Sequence, residues 1–233
     1  MLYMYWDGSQ ANLEGADAYS KKALELAPEL AEAHAARGLA VSLSQRYQEA
    51  EREFETAIRL NPKLFEAHYF FGRALFQQGK YVDAVKEYQE ASRVRPEDYQ
   101  TRLLAVQALR SLGRTAEAES TMQSGILVTE RHLDLNPDDV RALCLGAGVL
   151  IQLGERDRGM EWARRGLALA PEDSSVLYNV ACVYSLGGLA DQALECLDQA
   201  VQNGFGHRAW LENDSDLDSL RADPRFAALL KRL

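Results

Sequence analysis

Cysteine is scarce in this chain. Cys144, Cys182 and Cys196 cannot all pair, and each lies in an apolar, helix-like context. That usage excludes a disulfide-stapled secreted mini-protein and points to a reducing, cytoplasmic compartment. An excess of base is lacking too. The net charge is −9, which argues against a nucleic-acid surface or an anionic membrane surface. The longest uncharged stretch, Ser174 to Ala190, is 17 residues with paired glycines inside it, too short and too broken for a spanning helix, so no membrane insertion is expected. The opening Met1-Leu-Tyr-Met-Tyr-Trp-Asp has neither the basic segment nor the long apolar run of a leader peptide. What is present is ordinary for a folded chain: 233 residues, 47% apolar and 26% charged, enough for a sizeable core.

Proline is also rare, and its placement is informative. Five of the six prolines are Pro28, Pro62, Pro96, Pro137 and Pro171, at separations of 34, 34, 41 and 34. The odd gap exceeds the others by seven, close to two helical turns. Small residues keep the same period: Ala16, Ala50, Ala84, Ala118, Gly159 and Ala193, then Ala23, Ala57, Ala91, Gly125, Gly166 and Ala200. Residues seven apart lie roughly 20° apart on a helix, so each pair lets a neighbouring helix approach closely. A glycine series, Gly79, Gly113, Gly154 and Gly188, falls where a left-handed helix terminus is needed between two apolar-periodic segments. Proline ends the second segment because it cannot continue a helix. Each period therefore reads as helix A, tight turn, helix B, stop, with helix A at about 64–78 and helix B at about 82–94 in the third repeat.

Phe65-Glu-Ala-His-Tyr-Phe-Phe-Gly72, Gly79-Lys-Tyr81, Ala84, Tyr88, Ala91 and Pro96 resemble the tetratricopeptide repeat (TPR) in nearly its whole pattern. The preceding repeat matches with Gly38, Tyr47, Ala50, Phe54, Ala57 and Pro62, whereas Val106 and Arg156 depart from the pattern. The resemblance implies an all-α, right-handed superhelical solenoid of helix-turn-helix repeats. About five and a half repeats would occupy residues 1–202, with a C-terminal capping helical segment at 203–233. The first repeat is truncated to a stub of helix A, Leu2 to Trp6, which suggests a fragment of a longer protein.

After the array, Asp223-Pro224 opens a short helix by N-cap and first-turn proline. Phe226, Leu229 and Leu230 share its face, and Phe205, Trp210, Leu211, Leu217 and Leu220 supply apolar area for packing on the last repeat. The run from Gly204-Phe-Gly through Trp210-Leu-Glu-Asn-Asp to Asp223-Pro-Arg-Phe resembles the segment that follows TPR arrays of bacterial signalling proteins, such as adenylate cyclases and serine/threonine kinases. The seven extra residues fall near Ile126 to Leu133, where two added turns should lengthen a B helix by about 10 Å without breaking it.

Nothing converges on catalysis. His34 and His68 occupy equivalent places on successive A helices, too far apart at ordinary packing distance to share a zinc ion, and read as packing residues. No Cys-x-x-Cys pair, phosphate-binding glycine loop or His-Glu-x-x-His run occurs. No enzyme activity, metal or cofactor is expected. The resemblance instead implies a binding face made by the A helices. Arg37, Arg73, Arg102, Arg110 and Arg141 outweigh Glu32, Glu66 and Asp139 there, while the B helices carry the acidity. Carried over repeat by repeat, the groove-lining candidates are Leu39, Tyr69, Arg73, Phe76, Gln107, Arg110, Arg141, Gln152 and Tyr178, with Ala35, Leu103, Cys144 and Cys182 between them. Tyrosine and arginine are frequent hot spots, and arginine holds carboxylates bidentately, so the expected partner is a protein or peptide with an acidic residue. The Lys/Asn clamp with which some TPR proteins hold a C-terminal carboxylate is missing. The alternative reading is a regulatory or oligomerisation domain of a larger bacterial signalling enzyme, in which self-association would occur through the N-terminal face or the lengthened helix.

Overall fold

The computed structural model describes residues 10–206 and 208–233, so Leu2 to Trp6 and His207 lie outside the described residues, as does the side chain of Trp210. Every regular element among the described residues is helical. The chain divides into two compact units, up to Thr121 and from Met122. The N-terminal unit contains α1 (Gln10–Leu26), α2 (Ala31–Leu43), α3 (Tyr47–Leu60), α4 (Phe65–Gln77), α5 (Tyr81–Val94) and α6 (Tyr99–Ser111). The division falls inside α7 (Thr115–Leu135). In the C-terminal unit follow α8 (Val140–Gln152), α9 (Arg156–Leu169), α10 (Ser174–Leu186), α11 (Ala190–Gln202), α12 (Arg208–Asn213), a 3-10 turn (Ser215–Leu220) and α13 (Pro224–Leu230).

Each A helix ends on one local device. Gly79, Gly113, Gly154 and Gly188 have φ between 69° and 83°, and the next residue's N–H reaches back across the turn, as from Lys80 to the Leu75 carbonyl at 3.0 Å. The glycine series thus marks the hairpin turns. The first hairpin departs from it: Gln45 holds φ 59° in the slot where the later hairpins have glycine. Helix beginnings fall into two kinds. Asp98, Asp139 and Asp173 cap α6, α8 and α10 by accepting from backbone N–H groups of the first turn. Leucines stand in that place before α2 and α4 and cannot cap. There His34 and His68 bridge the junction instead. The Nε2 of each faces the carbonyl of the preceding proline, Pro28 or Pro62, at 2.8 and 3.0 Å, and the Nδ1 of each faces Glu53 or Glu87 at 2.7 Å.

In the N-terminal unit α2 packs on α1, α3 and α4, and α4 packs on α3 and α5, so A helices touch A helices along the array. Phe54 stacks on Phe71 at 5.4 Å within a core that also holds Leu39, Leu75, Tyr88 and Leu109. Gly38 and Gly72 admit the rings of Phe54 and Tyr88, because a Cβ at either position would come within 2.8 Å of them. The C-terminal unit repeats the arrangement: α8 packs on α9 and α10, and α10 on α11, around Leu143, Leu150, Leu177 and Leu197. The extra turns extend α7 to 21 residues, against 14 in α3, α5 and α9. The closing segment buries Phe205, Leu211, Leu217, Leu220, Phe226 and Leu229. Its 3-10 turn lies against α10 and α11, and α13 lies against α11.

Candidate functional site

The A-helix face of the N-terminal unit is carried by α2, α4 and α6. Its centre is an aromatic platform on α4. Phe65 stacks on Tyr69 at 5.5 Å, and Phe70 meets Tyr69 edge-on at 5.1 Å. The Tyr69 hydroxyl donates to Gln100 Oε1 on α6 at 3.0 Å, which links two A helices and fixes the ring. The Arg73 guanidinium sits 5.9 Å from the centre of the Tyr69 ring, a cation–π arrangement, and its Nη1 donates to the Tyr69 hydroxyl at 3.5 Å. Phe76 is half-buried against Tyr81 at 5.3 Å, and Gln107 and Arg110 are exposed on α6. Arg73 and Phe76 on α4 and Gln107 and Arg110 on α6 therefore offer polar and aromatic surface, while Tyr69 itself is buried at 7% exposure.

Beside the platform is a small open cavity of about 100 Å³ bounded by Glu32, Ala35, Ala36, Leu64, Glu66 and Phe70. Its walls are almost wholly apolar, and its two polar side chains are both acids. Glu66 accepts from Arg95 at 3.0 Å, and the same guanidinium stacks 3.8 Å from the Phe65 ring centre.

Several expected lining residues lie elsewhere. Leu39 is 1% exposed and belongs to the core, because α3 and α4 close over it; a partner cannot reach it. Arg37, counted among the basic groups of the face, is buried and donates to Asp17 at 2.8 Å and Glu49 at 2.7 Å. Arg46 joins the same two carboxylates, so α1, α2 and α3 are tied by a four-charge network. Those arginines hold the Asp17 and Glu49 carboxyls below the usual range despite the opposing effect of burial. Arg102 turns back to the carbonyls of Pro96 and Asp98 at 2.7 and 3.0 Å. Arg73 is half-buried and Arg110 is exposed on this face. The Arg37 network was legible in part: Phe71 occupies the equivalent place one repeat later, so a charge there signals a buried partner.

In the C-terminal unit Arg141 and Gln152 are half-buried on α8. The Nε of Arg141 is buried with no hydrogen-bond partner among the described residues. Tyr178 is not open to a partner. Its ring stacks on Phe205 at 4.5 Å and its hydroxyl donates to Asp214, while Ser185 pairs with Ser219 at 2.8 Å. The closing segment thus covers the α10 face on which Tyr178, Cys182 and Ser185 lie. Burial pushes the Cys144 thiol up to about 12, with Asp173 and Asp139 adding to the rise, and the Cys196 thiol up to about 11. Cys182 is raised well above its ordinary value by burial and by Asp214. Thiols held protonated in this way are poor nucleophiles. Among the described residues no group of three or more His, Cys, Asp or Glu side chains is placed to hold a metal ion. No helix of the described residues is long and apolar enough to cross a membrane.

The Tetratricopeptide repeat family model matches residues 44–91 and 71–126, the stretch that supplies the platform and the α4 side of the cavity. The hairpins within residues 44–126 match the tetratricopeptide repeat. A thermophilic TPR protein of Thermus thermophilus superposes with a TM-score of 0.60 over 91% of this chain and 99% of its own, at 21% identity. A TPR protein of Parabacteroides merdae gives a TM-score of 0.62 over 96% and 78%, at 15% identity. In sequence, 63 residues are 38% identical to a chloroplastic protein of Arabidopsis thaliana, covering 27% of this chain. The match spans 19% of that protein's length. TPR folds are in general non-catalytic scaffolds for protein–protein interaction.

Proposed function

We propose that this TPR array binds a short segment or helix of another protein on the face carried by its A helices. The observation that supports the reading most directly is the Tyr69 platform. Tyr69 is itself a core residue, 7% exposed, but locked by Gln100 it supports the half-buried Phe70, Phe76 and Arg73, and aromatic and arginine side chains of that kind dominate interface energetics. Arg110, exposed on α6, adds a charged group to the face of the N-terminal unit, and Arg141 one to the C-terminal unit. The test is affinity capture from a lysate of the source cell with identification by mass spectrometry. It compares the chain with a variant carrying Arg73→Glu, Arg110→Glu and Arg141→Glu, with helicity checked in both. A partner retained by the first and lost from the second is the expected result. The same partners on both would remove the binding site from this face.

A second reading rests on α7. Its lengthened helix leaves Leu127 and Leu135 exposed at 55% and 83%, two apolar side chains through which copies of the chain would join or another domain would dock. In that reading the array regulates or assembles a larger bacterial signalling enzyme, of which the closing segment would be a mark. Sedimentation of the chain against Leu127→Glu/Leu135→Glu separates the two: loss of a concentration-dependent dimer in the variant favours assembly through α7.

A further inference from the structure

The cavity between α2 and α4 differs in chemistry from the arginine-bearing part of the same face. Ala35 and Ala36 make the hollow by their small size, Leu64 and Phe70 line it with apolar surface, and Glu32 and Glu66 stand at its mouth. These acids occupy the same place in consecutive repeats, 34 residues apart, but their surroundings are unequal. Glu66 is neutralised by Arg95 at 3.0 Å. One repeat earlier the place of Arg95 is taken by Asn61, whose side-chain oxygen accepts from the Lys63 backbone N–H at 3.1 Å. Glu32 makes no ion pair among the described residues. The repeat pattern therefore supplies a cation for one carboxylate and withholds it from the other.

We propose that this cavity seats a lysine side chain of the bound peptide, an inference that rests on the A-helix face being the binding face. The apolar walls suit the aliphatic stem of lysine, which buries along hydrophobic surface while its charged end stays at the rim. An ammonium is a compact charge with three rotatable donors, so it can be shared between carboxylates on two helices. A guanidinium needs one carboxylate presented in its own plane, and Glu66 already serves Arg95. A purely apolar side chain would desolvate the Glu32 carboxylate without compensation, and an acidic one would be repelled. The partner segment is thus a mixed one, with lysine at the cavity and an acid toward Arg73 and Arg110. Glu66 and Arg73 are seven residues apart on α4, about 10 Å along the axis, which an extended peptide spans in about three residues.

The test is selection of phage-displayed random nonapeptides on the intact chain, followed by polarisation binding of a synthetic selected peptide and its lysine-to-norleucine analogue. Norleucine keeps the stem and removes the charge. The expected result is a lysine shared by the selected peptides, with binding weakened about tenfold by norleucine. Glu32→Gln in the protein should weaken the lysine peptide and should tighten, not weaken, the norleucine peptide, because the uncompensated carboxylate is gone. Ala36→Trp, which fills the hollow and keeps both acids, should weaken both peptides. Glu32 is exposed, so its substitution leaves the fold intact, as circular dichroism would verify. Selected peptides that bind equally well with norleucine would overturn the lysine seat and leave the binding face standing. No selection of any peptide would overturn the binding face, and the lysine seat with it.

Discussion

Gln45 carries the most readable strain in the molecule. A non-glycine residue in the left-handed region costs roughly 1–2 kcal/mol, and Gln45 sits there at φ 59° while the equivalent turns use glycine. Gln45→Gly is therefore expected to raise thermal stability by about 1 kcal/mol, against the usual direction of a substitution to glycine. At Gly72 the opposite holds. A Cβ would come within 2.8 Å of the buried Tyr88 ring, so Gly72→Ala should cost about 1–3 kcal/mol despite alanine's better helix propensity. Urea unfolding of both variants checks the pair. His68 gives a pH signature. Burial disfavours its cation, but the bond to Glu87, the Pro62 carbonyl and the charges of Glu87 and Glu90 outweigh that and raise its pKa above the ordinary 6.5. The stability it contributes is complete below the unfolded value and is lost as pH rises through the folded one. Melting temperature should fall from pH 6 upward through that range, and His68→Gln should flatten the slope. The turn glycines were legible because only a few residue types tolerate positive φ. Gln45 was legible as a gap in their series, whereas the partners of His68 required the third dimension.

At the scale of elements, α7 shows how an insertion can be absorbed. Two whole turns preserve the helix face, so Ile126, Thr129 and Leu133 remain buried while Leu127 and Leu135 project outward. Leu133→Ala is expected to cost about 2–5 kcal/mol, and Leu135→Glu less than about 0.5 kcal/mol. Equal effects would mean that the added turns do not pack by one face. The ion pairs of Arg158 with Glu130 and Glu155 join α7 to the start of α9, yet their exposure makes them minor contributors. Helix lengths and boundaries could be read from the proline, glycine and alanine spacings, which report backbone requirements directly. The two ways of fixing the start of an A helix could not. An aspartate at the cap is a local signal, but a histidine four residues into the helix acts through a glutamate 19 residues away.

For the whole molecule, the sequence foretold a repeating all-helical array but misjudged which of its A-helix residues stay open. The resemblance, carried over repeat by repeat, places Leu39 and Tyr178 on the face. Register places a side chain on a helix but does not say what later lands on it. The core closed over the first, and the closing segment covered the second. Removing residues 204–233 is expected to uncover Tyr178 and Cys182 together, so that Cys182 reacts with a thiol reagent in the shortened chain and not in the intact one. Unchanged protection would show that the closing segment does not cover α10.

The most direct test of where the chain binds is site-specific photo-crosslinking in a lysate of the source cell. Benzoylphenylalanine would replace Gln107 on the A-helix face in one variant and Leu135 on the lengthened helix in another; both positions are exposed. A discrete adduct from Gln107 and none from Leu135 is the expected outcome. An adduct from Leu135 with none from Gln107 would contradict binding on the A-helix face and move function to α7.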